Sequence, residues 1–112
     1  MLKEKNRIKK RKDFRYIHKN GQPIFSKNLV VLYTDNKFGN IKIGFSVSKK
    51  VGKAHVRNRI KRQLRAIVRM NLANFVQAKN YVIVAKPTII ELSYSQMEKE
   101  LLNSMSKVTR VE

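Results

Sequence analysis

The sequence predicts one small α/β domain whose elements run helix, strands, helix, strand, helix, and three observations carry that expectation. At 112 residues, 42% of them hydrophobic and 8% aromatic, the chain is long enough for a single modest core. Apolar residues recur at helical spacing in three segments and alternate or run continuously in the segments between them. Gly, Pro and Asn fall at the joints. No internal repeat, linker or low-complexity tract breaks the order.

Residues 1–12 read as a basic arm with little to bury, mobile or only partly ordered, ahead of a single domain over 13–112. Over 13–21, Phe14, Ile17 and His18 share one helical face, and Gly21 stops the helix with Pro23 just beyond. Residues 29–34 are apolar on both faces and predict an inner strand, and 35–40 predict a turn. Residues 41–48 alternate, with Ile41, Ile43, Phe45 and Val47 toward the core. Lys42, Gly44, Ser46 and Ser48 point the other way, a small and polar face open to something flat or extended. After a turn at 49–52, residues 54 to about 75 form the longest helical pattern, followed by a buried strand over 81–86 that Pro87 ends. Ser93 and Gln96 make an N-cap pair for a last amphipathic helix carrying Met97, Leu101, Leu102, Met105 and Val108.

Charge narrows the function. The chain has 26 Lys and Arg against 7 Asp and Glu, a formal net charge of +19. Residues 36–90 hold thirteen of those cations and not one acid. A soluble surface ordinarily mixes both signs, whereas a one-signed field this wide gathers a polyanion and steers it in, so nucleic acid is the expected partner. No segment joins a wide apolar face to interfacial Trp or Phe, so a membrane is not expected. The absence of Cys excludes a disulfide framework, thiol catalysis, a zinc ribbon and an iron–sulfur site, and two His with few acids leave too few ligands for a protein metal site. No apolar window is long enough to span a bilayer, and the basic start has no apolar segment behind it, so the expected location is the cytoplasm.

The long helix concentrates the signal. At about 100° per residue, Val56, Ile60, Leu64 and Ile67 fall in one arc, with Val68 and Phe75 at its margin. Beside that arc Arg57, Lys61, Arg65 and Arg69 repeat every four residues, forming a row at intervals of roughly 5–6 Å. Asn58 and Arg62 extend the row toward solvent and Arg59 lies on the opposite flank. Each like-charge pair at this spacing costs a few tenths of a kcal/mol, and no acid relieves it. Arg outnumbers Lys here, which suits bidentate contact with phosphate.

Residues 49–65, Lys-Lys-Val-Gly-Lys-Ala-His-Val-Arg-Asn-Arg-Ile-Lys-Arg-Gln-Leu-Arg, closely resemble the signature of the bacterial ribonuclease P protein family. The likeness extends over about residues 8–107, with the Gly44-Phe45-Ser46-Val47-Ser48 strand and the element from Asp13-Phe14 to Gly21 in the family's order. It implies a two-layer α/β sandwich, an α+β fold with a small mixed sheet, three helices and an uncommon left-handed βαβ crossover. It further implies an accessory subunit of an endoribonuclease that hydrolytically removes the 5′ leader of precursor tRNA and leaves a 5′-phosphomonoester. In that reading the catalyst is an RNA that binds Mg²⁺, the protein lowers the Mg²⁺ requirement by screening RNA–RNA repulsion, and the protein alone does not cleave. No obligate protein partner is implied.

Carried over residue by residue, Arg57, Asn58, Arg59, Lys61, Arg62 and Arg65 would lie against the catalytic RNA. Lys49, Lys50 and Lys53 would join them, and Arg69 continues the row. A leader-binding cleft would take in Phe14, Ile17, His18, Tyr33, Ser46 and Ser48. The family usually carries a second aromatic where this chain has His18, whose imidazole stacks with less area. Two other classes compete. A protein-only nuclease would need His18, His55 and a lysine as acid and base, but no carboxylate in the acid-free stretch could orient them. A ribosomal or other basic nucleic-acid-binding protein would share the charge without an enzyme partner.

Overall fold

Residues 3–37 and 39–108 are described in the structure, a computed structural model. Seven main elements follow one another: α1 (Arg11–Asn20), β1 (Gln22–Phe25), β2 (Leu29–Asp35), β3 (Lys42–Ser46), α2 (Ala54–Asn71), β4 (Lys79–Ala85) and α3 (Tyr94–Met105). The strands form one mixed sheet in the order β1-β2-β4-β3. β1 and β2 are antiparallel, β2 and β4 are antiparallel, and β3 runs parallel to β4 with α2 as the crossover between them. The α+β fold with three helices and a mixed sheet is the one expected.

Strand parity divides the sheet into two faces. Leu29 and Val31 of β2, Ile43 of β3, and Tyr81 and Ile83 of β4 are buried with Ile60, Leu64 and Ile67 of α2 and Met97 and Leu101 of α3. Each such side chain contributes about 1.5–3 kcal/mol on leaving water. On the other face Val82 packs with Ile17 of α1 and with Ile8, flanked by Phe14, Leu32 and Val84. Helix α1 therefore adds cover to the face opposite α2 and α3.

Several boundaries differ from the pattern reading, each for a physical reason. The segment before α1 buries more than a basic arm was expected to. Asn6 is buried and its Nδ2 donates to Ile41 O at 2.7 Å, while the N–H of the buried Ile8 donates to Ile43 O at 3.0 Å, so residues 6–8 dock along the edge of β3. Residues 1 and 2 of that arm, 109–112 of the expected domain, and Phe38 of the turn at 35–40 lie outside the described residues. Pro23 does not merely follow a helix stop. It sits in β1 opposite Leu32, and an edge strand tolerates the missing N–H. Helix α2 ends at Asn71, and Phe75, beyond a short 3₁₀ turn, is buried with its ring edge-on to Tyr81 at 5.6 Å. Val108 is buried as expected but follows α3 rather than belonging to it. The Ser93 and Gln96 cap is present in both directions: Gln96 N–H donates to Ser93 Oγ at 3.2 Å and Ser93 N–H to Gln96 Oε1 at 2.8 Å.

Glu100 ties the β1–β2 turn to α3. Its carboxylate accepts from Ser26 Oγ at 2.7 Å, and from the backbone N–H and Nδ2 of the buried Asn28, both at 2.8 Å. Burial by itself would raise the Glu100 carboxyl, but the hydrogen bonds from Ser26 and Asn28 and the charge of Lys86 bring it below its ordinary value of 4.5. A depressed value means the stabilisation is complete above pH 4.5 and is lost as pH falls through the lower folded-state value. Glu100→Ala strands the Asn28 donors and is expected to cost about 2–4 kcal/mol at pH 7. Thermal melts should drop by roughly 10–20 °C, and Glu100→Gln should lose the acid-range component of the pH dependence.

Candidate nucleic-acid interface

The approach to α2 is held from below. Val51 is buried and its N–H donates to Ser48 O at 3.0 Å, so the turn is anchored while Lys49, Lys50 and Lys53 stand exposed around it. The α2 N-terminus has no side-chain cap and no acid in its first turn. Its unpaired N–H groups and the positive end of the helix dipole therefore add to the lysine field. Arg57 is half-buried, and its Nε donates to Gly52 O at 3.2 Å, which fixes the guanidinium against this turn.

Burial of Ile60, Leu64, Ile67 and Val68 sets the rotation of α2. It leaves Arg62, Arg65 and Arg69 exposed and Lys61 half-buried. Asn58, Lys61, Arg62, Arg65 and Arg69 line one open cavity of about 510 Å³, with the small Ala66 at its base. Arg59 is exposed and outside this cavity, on the other flank as its spacing predicts. The acids lie elsewhere: Glu98 accepts from Asn71 Nδ2 at 2.9 Å, Glu100 is held by Ser26 and Asn28, and Asp35 pairs with the buried Lys79.

A second, narrower cleft of about 110 Å³ lies between α1 and α2 over the β3 edge. Phe14, Arg7 and Ile8 form one wall, Lys61 and Arg65 the other, and Ile43, Gly44 and Phe45 the base. Gly44 is what admits the aromatic ring, since any Cβ there would collide with Phe14 and lie 3.4 Å from Ile8 Cβ. Lys61 and Arg65 line both cavities, so the cationic row and the Phe14 cleft form one continuous surface.

Not every residue assigned to the cleft reaches it. The β3 face at Gly44 is not open, because Phe14 and Ile8 cover it. Ile17 is 1% exposed and packs on Val82, beneath the helix rather than along a wall. Tyr33 is 6% exposed and points to the opposite face, where its hydroxyl meets Gln22 Oε1 at 3.0 Å and Lys79 Nζ lies 5.5 Å from the ring centre. Phe14 is half-buried and lines the cleft, whereas the half-buried Ser46 and the exposed His18 and Ser48 are not among its lining residues. Phe45 packs against the main core, as its alternation indicates, and also borders the cleft.

Pattern reading passed over Arg7 and Ile8 as cleft residues, although a lone apolar residue in a cationic run was a usable signal. It also passed over Tyr16 and Phe25, rings 60% and 68% exposed. No group of three or more His, Cys, Asp or Glu that could hold a metal ion occurs among the described residues. No helix among them is long and apolar enough to cross a membrane.

The family model described as Ribonuclease P matches residues 2–109. The chain belongs to the ribonuclease P protein family. A ribonuclease P protein component from Streptococcus pneumoniae (strain CGSP14) is 36% identical over 111 residues, covering 97% of this chain and 90% of the relative. The ribonuclease P protein of Staphylococcus aureus superposes with a TM-score of 0.82 at 32% identity, over 92% of this chain and 96% of that one. The ribonuclease P protein of Thermotoga maritima gives a TM-score of 0.86 at 28% identity, over 92% and 97%. Ribonuclease P membership bears out the family resemblance and sets aside the competing reading as a ribosomal or other basic nucleic-acid-binding protein.

Proposed function

We propose that the chain is the RNA-binding subunit of a ribonuclease P holoenzyme and assists a catalytic RNA in removing the 5′ leader of precursor tRNA in the cytoplasm. The observation that carries this reading is the surface made continuous by Lys61 and Arg65, with the cationic row of α2 on one side and the Phe14 cleft on the other. Lys49, Lys50, Lys53, Arg57, Asn58, Arg59, Arg62 and Arg69 engage the catalytic RNA backbone, by charge and by bidentate hydrogen bonds from the arginines. Phe14 offers a half-buried ring to an unstacked leader base, and the exposed His18 and Ser48 and the half-buried Ser46 are available to the strand beyond the cleft. Ile17 and Tyr33 support these elements from beneath without touching the strand.

The protein's contribution is positional and electrostatic. Cations between two RNAs screen their repulsion, which lowers the Mg²⁺ needed for them to associate. The Mg²⁺ itself is held mainly by the RNA subunit, and hydrolysis of the phosphodiester is the RNA's chemistry. A reconstituted holoenzyme should bind precursor tRNA more tightly than mature tRNA, by about tenfold, since a single stacked base contributes about 1–3 kcal/mol. Equal affinity for the two would remove the leader from the account.

A further inference from the structure

A separate groove of about 610 Å³ lies between the N-terminal segment and the end of the sheet, on the face that carries α1. Its wall is built by Lys5, Arg7, Lys10 and Lys12, and its base includes Lys42 and Asn80. Asp13 stands on the α1 rim as an acid among these cations. Thr34, Asn80 and Lys42 are direct cross-strand partners on β2, β4 and β3, so the three form a polar row across the sheet. The Oγ1 of Thr34 is buried with no hydrogen-bond partner among the described residues. The Oδ1 of Asn80 accepts from Asn36 Nδ2 at 3.0 Å, which leaves the NH₂ end of that amide as the donor for a ligand. Arg7 and Ile8 border both this groove and the Phe14 cleft, so a strand can pass from one to the other.

We infer that this groove is a second strand-binding subsite, taking a single-stranded RNA segment that continues past the Phe14 cleft. A wall of lysines and arginine suits phosphates whatever the sequence, whereas a solvated basic face would not need the Asn80 amide beside Lys42 at its base. The 2′-hydroxyl of ribose accepts as well as donates, and so matches the NH₂ end of the Asn80 amide. The inference rests on the ribonuclease P reading for its choice of RNA. Two strands of that chemistry are at hand, the leader of the precursor and an unpaired segment of the catalytic RNA.

The test uses the reconstituted holoenzyme and precursor tRNAs with leaders of about four and about twelve nucleotides, lengths that bracket what one open groove holds. Lys10→Ala with Lys12→Ala removes two exposed wall charges. Asn80→Asp keeps the acceptor for Asn36 but sets a carboxylate against the strand. Wild type should bind the longer leader more tightly. Both variants should lose that gain, by about tenfold, with unchanged melting temperature and unchanged affinity for the short leader. In the lysine variant the logarithmic salt slope should shrink by about 0.7 for each lost phosphate contact. A loss that is equal for both leaders and appears when the catalytic RNA is titrated alone assigns the strand to that RNA, and the subsite stands. Normal wild-type assembly with silent variants overturns the groove alone, as a solvated lysine face. A wild-type chain that does not bind the catalytic RNA overturns both readings.

Discussion

Replacing Arg62, Arg65 and Arg69 together by alanine should weaken binding to the catalytic RNA by about 10²–10³-fold, since each exposed, solvent-screened contact to phosphate contributes about 1–1.5 kcal/mol. The logarithmic salt slope should fall by about two, because three released counterions are no longer part of binding. Folding should not suffer. All three side chains are exposed, and their removal relieves like-charge pairs at i, i+3 and i, i+4, each unfavourable by a few tenths of a kcal/mol. Lys27, Lys99 and Lys107 are exposed away from the row, and replacing those three by alanine gives a variant of equal net charge. That variant should retain binding within about threefold and most of the salt slope. Filter-binding or anisotropy titrations across a salt series read both numbers. Equal losses in the two triple variants would mean that net charge matters and the row does not.

The second large effect lies at Gly44 and Phe14. Gly44→Ala drives a methyl group into the Phe14 ring, and overpacking of this kind costs about 1–3 kcal/mol. Phe14→Ala removes a half-buried ring that covers Gly44 and should cost about 1–3 kcal/mol as well. In the double variant the new methyl occupies part of the space the ring vacated. Melting should therefore recover by about 1 kcal/mol relative to the sum of the single changes. Preference for precursor over mature tRNA should not recover, because the stacking ring is gone. This separation of stability from leader recognition distinguishes a cleft residue from a core residue. Strict additivity in stability would contradict the contact, and a restored leader preference would contradict the stacking role.

What could be read from the sequence depended on how each element marks its faces. Residues 41–48 alternate, so the inward set was plain, and Ile41, Ile43 and Val47 are buried as that pattern requires. The α2 spacing fixed its buried stripe and its cationic row in one step, because 3.6-residue periodicity leaves a single rotation that buries Ile60, Leu64 and Ile67. Residues 29–34 carry apolar side chains on both faces, so nothing local told which parity meets α1. Pairing of Tyr33 opposite Tyr81 decides it, and that register depends on a strand almost fifty residues further on. Ile17 shares a helical face with Phe14, and spacing alone does not separate the residue pressed onto Val82 from the one at the helix margin. Composition averages over the N-terminal segment and so hides its buried residues, Asn6 and Ile8. One apolar side chain, Ile8, its backbone hydrogen bond to Ile43 O and the Asn6 amide bond to Ile41 O dock a run of cations on the sheet edge.

On the function proposed above, this chain acts through RNA, as a cationic partner that lets a catalytic RNA and its substrate associate. The measurement closest to it is single-turnover cleavage of precursor tRNA by a bacterial ribonuclease P RNA at low Mg²⁺, with and without the protein. Adding the chain should accelerate removal of the 5′ leader, the acceleration should shrink as Mg²⁺ is raised, and the protein without RNA should cleave nothing. A rate unchanged by the protein at low Mg²⁺, or cleavage by the protein alone, would contradict it.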